Sequence, residues 1–500
     1  MSRGDVVEID PNISASRSLL IGGSWHRGGG APLASTDPAT GETNAILSTG
    51  SAEDVDLAVN AARDALGRAG WADLLPHRRA DHLHAIARLL NERVEPLAQI
   101  VMHENGKTLT ECHQQIRGAA GIFRYYAALC ETVGSDVTPS RGDYLSLTVH
   151  EPIGVVAAIT PWNSPVNLAA DKLAPALAAG NAVLLKPSEL TSIVSLELGK
   201  LCIDAGLPAG LVNVLPGTAK TASALVRHPG VNMISFTGGT TAGRAIATVA
   251  AERIVPVLLE LGGKSPNIVM DDADLSLAAA GVAAGIFGSL GQSCIAGSRL
   301  FVHESIREQL VSMLVDIARG LRLGPPDAAT TQLGPLASFP HRERVHGLVS
   351  AARGEGGRIL AGGSAPEGAL FSKGAYYLPT IIDGLDNASA TCQSEIFGPV
   401  LCVLPFTDEA DLVRQANGTV YGLACGVWSR DFAKAWRVAR RVHAGTVWIN
   451  TYRQNSVSTP FGGVKQSGIG RERGVNGLRQ YQQIKSVFVA TSDAPLNFDR

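Results

Sequence analysis

Short apolar segments alternate with helical segments through the middle of this sequence, and that alternation limits the possible fold more than any other feature. Four of these segments are short, buried in character and rich in aliphatic residues, which predicts strands: Val155–Ile159, Ala182–Leu185, Val212–Leu215 and Met233–Phe236. A helical pattern from about Pro165 to Ala179, ended by Gly180, separates the first two. Strands that alternate with helices form a parallel sheet with both faces covered, so the sequence predicts an α/β fold.

A second alternating block follows Gly263. Its predicted strands lie near Leu300–Val302, Val400–Leu404, Leu423–Trp428 and Thr446–Asn450. The chain has 500 residues, which exceeds the size at which one hydrophobic core keeps growing. We therefore expect at least two α/β domains, preceded by a helical region from Ser51 to about Cys130 that opens with a capping pattern at Ser51 and Asp54. The segment Gly354–Gly368 is predicted to be a glycine-rich loop.

Two further segments, Tyr144–Val149 and Ile484–Val489, alternate at the period of a strand but have no helical neighbours. Exposed strands of this kind need a pairing partner, and another subunit could supply it. Which chain provides the partner is left open by the sequence.

Charge and cysteine content exclude several classes of function. A formal net charge of -2 provides no basic surface for nucleic acid or for a membrane, so a small molecule is the expected partner. The seven cysteines are thinly spread and form no Cys-x-x-Cys pair, which argues against a disulfide framework and against a metal site. The N-terminus has no signal-peptide core, and no apolar run is long enough to span a bilayer. We expect a cytoplasmic protein.

A cysteine and a glutamate each lie in glycine-rich turns. Cys294 stands within Gly291–Arg299, and Glu260 opens the segment Glu260–Lys264. A thiolate attacks carbonyl carbon, and a buried carboxylate could activate the water that releases the resulting thioester. Free cysteine is among the most buried residue types, so Cys294 considered by itself is more readily interpreted as a core residue than as a nucleophile.

Six motifs together resemble the NAD(P)-dependent aldehyde dehydrogenase superfamily in their order and approximate spacing. They are Pro161–Asn163, Lys186–Glu189, Phe236–Gly239, Glu260–Lys264, Gly291–Cys294 and Glu395–Pro399. The resemblance implies two Rossmann-like parallel-sheet domains and a small β oligomerisation arm. It implies a cofactor-binding domain formed by residues 1–132 and 151–261, a catalytic domain of residues 262–470, and an arm and tail of residues 133–150 and 471–500. It also implies a homodimer or homotetramer.

The resemblance gives Cys294 the role of nucleophile and Glu260 the role of base for the hydrolytic water. The side chain of Asn163 and the backbone N–H of Cys294 would stabilise the oxyanion. An aldehyde would thus be oxidised to its acid, with water as the acyl acceptor. Two alternatives stay open: an acylating relative that passes the thioester to coenzyme A or phosphate, and a non-catalytic protein that retains the fold. Glu260 argues against the acylating relative, because water activated by Glu260 would compete with the other acyl acceptor. Retention of Cys294, Glu260, Asn163 and Glu395 together argues against a non-catalytic protein.

By resemblance, the cofactor contacts strand ends of the first domain and the loop after Glu395: Thr160, Pro161, Trp162, Lys186, Ser188, Glu189, Gly217, Phe236, Thr237, Gly238, Gly239, Leu261, Glu395 and Phe397. A carboxylate at Glu189 accepts hydrogen bonds from both ribose hydroxyls but repels a 2′-phosphate, which favours NAD over NADP. The family commonly has serine where this chain has Gly239, so one hydroxyl contact to phosphate is missing.

Positions that surround the aldehyde in the family carry small or polar side chains here, and Ser293 and Ile295 flank the cysteine. The predicted pocket residues are Ser164, Asn167, Asp171, Gly288, Ser293, Ile295, Arg453 and Asn455. Several polar side chains in one cavity favour a polar substrate, such as a semialdehyde or a hydroxyaldehyde, over a long alkanal. Arg453 could meet a substrate carboxylate and Asp171 could meet an amine, and the sequence does not choose between them.

Overall fold

The computed structural model describes residues 18–67 and 70–493. Its first sheet has a parallel centre with antiparallel strands at both edges. The spatial order is Gly468–Ile469, Val257–Glu260, Met233–Thr237, Val155–Ile159, Ala182–Lys186, Val212–Val214, Leu19–Ile21 and Ser24–His26. The strands from Val257–Glu260 to Val212–Val214 are parallel, as predicted. The flanking strands run antiparallel and were not predicted.

Helices precede and cover this sheet: Ala52–Gly67, Pro76–Glu92, Val94–Asn105, Leu109–Thr132, Pro165–Ala178, Ser192–Asp204, Ala219–Arg227, Thr240–Arg253 and Gly474–Gln480. The capping pattern predicted at the start of the first helix is present. The backbone N–H of Asp54 donates to Ser51 Oγ at 3.2 Å, and the N–H of Ser51 donates to Asp54 Oδ2 at 2.8 Å. Leu478 and Tyr481, in and just after the last helix, pack in the same core as the sheet.

The second sheet carries the predicted second block. Its order is Arg358–Ala361, Thr380–Asp383, Val400–Phe406, Arg299–His303, Pro266–Val269, Ala424–Trp428 and Thr446–Ile449, with every pair parallel except the first. Its helices are Leu275–Phe287, Arg307–Gly320, Phe339–Gly354, Ala390–Gln393, Glu409–Asn417 and Phe432–Arg441, with 3-10 turns at Gly288–Gly291, Glu304–Ile306 and Lys465–Ser467. The prediction of an irregular loop over Gly354–Gly368 was wrong, because Arg358–Ala361 forms the edge strand there.

Two smaller sheets complete the fold. Pro32–Thr36 and Thr43–Ser48 form a hairpin. The two isolated strands of the sequence pair with each other: Tyr144–Pro152 runs antiparallel to Gln482–Ala490 and also to Asp136–Thr138. Their partner thus comes from the same chain, although the two strands are far apart in sequence. Positions 1–17 and 494–500 lie outside the described residues. The first range contains the N-terminus on which the sequence argument against a signal peptide was based, and the second contains the end of the predicted tail.

The parallel centre of the first sheet positions the candidate site. Ile159 lies opposite both Phe236 and Lys186, and Thr237 lies opposite Glu260. The carboxyl ends of these strands therefore meet at one edge, which is where α/β sheets bind ligands. Of the helices in residues 18–67 and 70–493, none is long and apolar enough to cross a membrane.

Candidate active site

Cys294 lies in the turn that joins the helix Leu275–Phe287 to the strand Arg299–His303. The turn is tight: Ser289 and Leu290 have positive φ values of 51° and 54°, and Gly291 has a φ of 66°. A Cβ at Gly291 would overlap the carbonyl oxygen of Gly398, so the loop requires glycine at this position. The turn leaves Cys294 half-buried and facing a cavity, whereas most of the other cysteines are buried.

The electrostatic surroundings of Cys294 favour the neutral thiol. Burial raises its pKa to about 12, and the carboxylates of Glu395 and Glu260 add to the rise, while the backbone N–H groups of Ile295 and Cys294 oppose it. At neutral pH the sulfur therefore carries a proton. Attack on a carbonyl requires a group that accepts this proton.

Glu260 ends the strand Val257–Glu260 and is 3% exposed. Neither of its carboxylate oxygens has a hydrogen-bond partner in the described part of the chain. Burial raises its pKa well above the usual range, with the charge of Glu472 as the next cause, while Lys172 and Arg471 oppose the rise. A buried carboxylate with a raised pKa and free lone pairs is suited to accept a proton.

A buried ion pair lies behind Glu260. Lys172 Nζ is 2.6 Å from Glu472 Oε1 and also donates to Ser235 Oγ at 3.1 Å, and both charged side chains are almost fully buried. Sequence reasoning missed this pair, because Lys172 and Glu472 are separated by 300 positions and neither belongs to a motif that we used.

Asn163 is buried beside the loop of the cysteine. Its Nδ2 donates to the carbonyl oxygen of Gln292 at 3.0 Å, which fixes the amide toward that loop. Ser164, not Asn163, is the N-cap of the following helix, Pro165–Ala178. The amide carries a second N–H, which remains available to the cavity that Asn163 and Cys294 both line.

The predicted ribose contacts lie together at the end of the strand Ala182–Lys186. Lys186 Nζ is 3.7 Å from Glu189 Oε2, and Lys186 is buried whereas about half of the Glu189 side chain is exposed. Burial lowers the pKa of Lys186, and Glu189 opposes that shift. An exposed carboxylate beside a buried ammonium can accept hydrogen bonds from neighbouring hydroxyls.

The first helix after the strand Met233–Thr237 begins at Thr240 with Gly239 as its N-cap. No atom lies within 4 Å of where a Cβ at Gly239 would stand, so the helix N-terminus faces open space. A Cβ at Gly238 would come within 2.5 Å of the Phe236 ring, which packs beneath the turn. The Thr237 hydroxyl is buried and has no partner among the described residues. This end of the sheet can receive a polar, anionic group.

The loop after the short helix Ala390–Gln393 carries Glu395 and Phe397. Glu395 Oε1 accepts the backbone N–H of Gly263 at 3.0 Å, and burial raises the pKa of Glu395. The Phe397 ring makes an edge contact with the Trp162 ring, with 5.3 Å between the ring centroids. The backbone of Phe397 has a positive φ of 60°. These contacts hold the loop against the strand ends of the first domain.

The remaining predicted cofactor residues line the same edge. Thr160 is buried, and its hydroxyl has no hydrogen-bond partner within residues 18–67 and 70–493. Pro161 precedes Trp162, and Ser188 Oγ accepts the N–H of Leu190 at 3.3 Å. Gly217 lies against Thr221, and Leu261 packs against Gly243.

A cavity of about 910 Å³ opens beside Cys294. It brings together all the predicted pocket residues with Cys294 and Asn163. These lining residues are Asn163, Ser164, Asn167, Asp171, Gly288, Ser293, Cys294, Ile295, Arg453 and Asn455. Its walls are mixed polar and apolar, and Phe461, Trp448 and Leu168 also contribute. The volume falls in the range of small-molecule sites.

The structure changes the interpretation of one pocket residue. Asp171 is 1% exposed and receives a bidentate interaction from Arg473, with Nη2 to Oδ2 at 2.9 Å and Nε to Oδ1 at 3.1 Å. Its charge is therefore already compensated by Arg473, which argues against the suggestion that Asp171 meets a substrate amine. The sequence contained no local signal for this pair, since its members are 302 positions apart.

Sequence reasoning also missed the residues that support the loops of Cys294 and Glu395. His341 Nε2 lies 2.8 Å from the carbonyl oxygen of Phe397, and Arg344 donates to the carbonyl oxygens of Ile396 and Glu395, each at 2.8 Å. Tyr452 donates its hydroxyl to the carbonyl oxygen of Ile295 at 2.9 Å. These residues bond to backbone atoms, so no motif of residue types marks them.

Comparison with known proteins agrees with this geometry. The model of the aldehyde dehydrogenase family matches residues 25–487. The chain is 40% identical over 486 residues to betaine aldehyde dehydrogenase of Bacillus subtilis (strain 168), covering 97% of this chain and 99% of that protein.

Two solved structures have the same fold. Betaine aldehyde dehydrogenase from Staphylococcus aureus in complex with NAD+ has a TM-score of 0.94 and 36% identity, with 97% of this chain and 96% of that chain covered. An NAD+ complex of aldehyde dehydrogenase from Bacillus cereus has a TM-score of 0.93 and 39% identity, with 95% and 97% covered. The resemblance and the α/β fold predicted from the sequence are confirmed, and the chain belongs to the aldehyde dehydrogenase family.

Proposed function

We propose that this protein oxidises an aldehyde to the carboxylic acid with NAD, through a thioester on Cys294 that water hydrolyses. The observation that carries the proposal is Glu260, a buried carboxylate with no partner among the described residues, placed where its charge acts on Cys294. The other carboxylate that acts on Cys294, Glu395, already accepts the Gly263 N–H. Glu260 is therefore the base free to take a proton.

In the first step, the sulfur of Cys294 forms a bond with the aldehyde carbon and its proton passes to Glu260. The carbonyl oxygen becomes an oxyanion, and the free N–H of Asn163 Nδ2 and the backbone N–H of Cys294 are the donors that stabilise it. When bound, NAD accepts the hydride that leaves this carbon. Cys294 then holds the acyl group as a thioester.

Before the second step, Glu260 releases to solvent the proton that it took from Cys294. It then removes a proton from a water molecule, which attacks the thioester carbon. The carbon–sulfur bond breaks, and the acid leaves as Cys294 regains a proton. This step requires Glu260 in its ionised form. Because the pKa of Glu260 is raised, hydrolysis should accelerate as the pH rises through that pKa.

The strand ends fit an NAD molecule. Glu189 and Lys186 would hold the adenosine ribose, the open helix start at Gly239 would face the pyrophosphate, and Glu395 and Phe397 would hold the nicotinamide end. The unpartnered hydroxyls of Thr160 and Thr237 provide further polar contacts along this edge. Because Gly239 has no side-chain hydroxyl, backbone amides would be the hydrogen-bond donors to the pyrophosphate at this position.

Replacing Glu189 with glutamine should relax the choice of cofactor. Loss of the carboxylate removes repulsion toward a 2′-phosphate, so we expect the ratio of kcat/KM for NAD to that for NADP to fall roughly fivefold or more. Steady-state kinetics with both cofactors measure this ratio. Glu252→Gln, which removes an exposed carboxylate from the same domain, serves as the matched control. An unchanged ratio in Glu189→Gln would contradict the assignment of Glu189.

The protein is also proposed to act as a homodimer or homotetramer. The sheet formed by Asp136–Thr138, Tyr144–Pro152 and Gln482–Ala490 exposes large apolar side chains: Val137, Leu145, Ile484, Phe488 and Val489. Val137, Leu145 and Val489 lie on one face of this sheet and Ile484 and Phe488 on the other. Exposed apolar side chains on a small sheet support burial against another copy. The cysteines, all within the described residues, are free thiols, in keeping with the predicted cytoplasmic location.

The test of this function is NADH formation by the purified protein with a panel of polar and apolar aldehydes, with and without coenzyme A. We expect NADH and free acid without coenzyme A, and higher specificity constants for polar aldehydes than for medium-chain alkanals. A strict requirement for coenzyme A would assign the acylating reaction instead. Absence of NADH with every aldehyde would indicate a protein that retains the fold without the activity.

A further inference from the structure

Asp171 and Arg453 both line the cavity and attract opposite charges, so each is a candidate to select the far end of an aldehyde. Asp171 is excluded, because Arg473 neutralises it through two hydrogen bonds and its side chain is 1% exposed. Arg473 is occupied for the same reason, and its guanidinium also lies over the Phe461 ring at 5.5 Å. Arg453 is the remaining guanidinium on the cavity wall.

Arg453 has only neutral partners in the described part of the chain. Its Nη1 donates to the carbonyl oxygen of Gly288 at 2.7 Å, and its Nη2 lies 3.5 Å from Ser289 Oγ. No carboxylate of residues 18–67 and 70–493 lies within ion-pair distance of it. The positive charge of this guanidinium thus has no carboxylate partner among these residues, and Arg453 lines the cavity.

The backbone holds this guanidinium in place. Arg453 has a φ of 61°, a conformation that side-chain-bearing residues rarely adopt, and it follows Tyr452, which is bonded to the carbonyl oxygen beside Cys294. Gly288 provides the space, since a Cβ there would stand 2.5 Å from Arg453 Nη1. The backbone conformation of Arg453, the hydrogen bond of Tyr452 and the space at Gly288 together hold the guanidinium at the cavity wall.

The other charges of the wall do not offset Arg453. Glu111 lines the cavity with a negative charge and accepts hydrogen bonds from Ser289 Oγ at 2.7 Å and from Thr108. Lys107 lines it with a positive charge and donates to Ser164 Oγ at 3.4 Å. The charges of Glu111 and Lys107 act on each other and offset each other, which leaves the charge of Arg453 in excess. The wall therefore attracts anions and repels quaternary or primary ammonium groups.

We infer that the enzyme takes aldehydes that carry a carboxylate at the end remote from the carbonyl, and that Arg453 selects them by a charge-assisted hydrogen bond. This inference rests on the proposed function, since it names the substrate class of the same site. It sets the chain apart from the relatives named for betaine aldehyde, whose substrate name denotes a cationic aldehyde. The reaction that supplies the substrate must therefore leave an aldehyde on a carboxylic acid.

The test compares aldehydes of matched length and different charge. Succinic and glutaric semialdehydes are the anionic probes, butanal and pentanal the neutral probes, and betaine aldehyde the cationic probe. For the wild-type protein we expect kcat/KM for the semialdehydes to exceed that for the neutral aldehydes by about 10-fold or more. In Arg453→Gln this ratio should fall about 10- to 100-fold, mainly through KM for the semialdehyde.

Three further variants sharpen the result. Arg453→Lys keeps the charge and should retain more of the ratio than Arg453→Gln. Gly288→Ala should lower the ratio by displacing the guanidinium, which provides a second route to the same answer if Arg453→Gln fails to fold. Arg88→Gln removes an exposed arginine far from the cavity and should leave the ratio unchanged.

The outcomes separate this inference from the function on which it rests. NADH formation with a preference for betaine aldehyde or alkanals, or an unchanged ratio in folded Arg453→Gln and Gly288→Ala, overturns the role of Arg453 and leaves the aldehyde oxidation intact. No NADH with any aldehyde overturns both. A preference for the semialdehydes that Arg453→Gln abolishes supports both.

Discussion

Cys294→Ala abolishes aldehyde oxidation: we expect kcat to fall by at least about 10⁴-fold, because the residue that carries the acyl group through the reaction is lost. The other cysteines do not compensate. Cys112, Cys202, Cys392, Cys402 and Cys425 are buried, and Cys130 donates its thiol to the carbonyl oxygen of Tyr126. None of these six lines the cavity beside Asn163.

Steady-state NADH formation measures this loss, with Cys130→Ala as the matched control because Cys130 is also half-buried. Binding of NADH, followed by its fluorescence, should persist in Cys294→Ala, which separates loss of chemistry from loss of fold. Retained turnover in a folded, cofactor-binding Cys294→Ala protein would remove Cys294 from the mechanism.

Glu260→Gln is the second substitution with a large expected effect, and it should divide the reaction into its two halves. Glutamine has the same shape but cannot accept a proton from water, so the thioester accumulates. Rapid mixing should show a burst of about one NADH per subunit, followed by a steady state slowed about 100-fold or more. Because Glu260 also accepts the proton of Cys294, the burst itself should slow at neutral pH in this variant and recover as the pH rises.

The pH profile gives this prediction a further readout. Burial holds the pKa of Glu260 well above its usual range, so the wild-type kcat should increase with pH as Glu260 ionises, wherever hydrolysis limits the rate. Glu260→Gln should lose that increase. Glu308→Gln, which alters an exposed glutamate, should retain it. A wild-type profile with no such increase, or full steady-state activity in Glu260→Gln, would contradict the role of Glu260.

The parts of the fold that could be predicted are those with a strong local pattern. Every residue of Val155–Ile159 and of Ala182–Lys186 is buried, so these strands appear in the sequence as continuous apolar runs. Pro266–Val269 is equally buried but is short, begins with proline and follows glycines, and it was missed. Arg358–Ala361 lies at a sheet edge between glycines and has the composition of a loop.

Pairing between distant segments could not be predicted. The strand Leu19–Ile21 joins the first sheet beside Val212–Val214, and the strands Tyr144–Pro152 and Gln482–Ala490 find each other across more than half of the chain. Register between such segments depends on the packing of the whole molecule, not on local periodicity. The sequence showed that a partner strand was needed but not where it comes from.

In the candidate site, too, residues in local motifs could be predicted and contacts between distant residues could not. Cys294, Glu260 and Asn163 stand in motifs that the family shares, and the structure gathers the residues that those motifs predict around one cavity and one sheet edge. The charge of Asp171 could not be interpreted without Arg473, which neutralises it from 302 positions away. That single contact is one basis of our inference that the substrate carries a negative charge.

The most direct test of the account is mass spectrometry of Glu260→Gln protein, quenched during turnover and digested. We predict that the peptide containing Cys294 gains the mass of the acyl group, that the adduct is lost on treatment with hydroxylamine, and that it requires both the aldehyde and NAD. An acyl adduct on another residue, or none while NADH is being formed, would contradict covalent catalysis at Cys294.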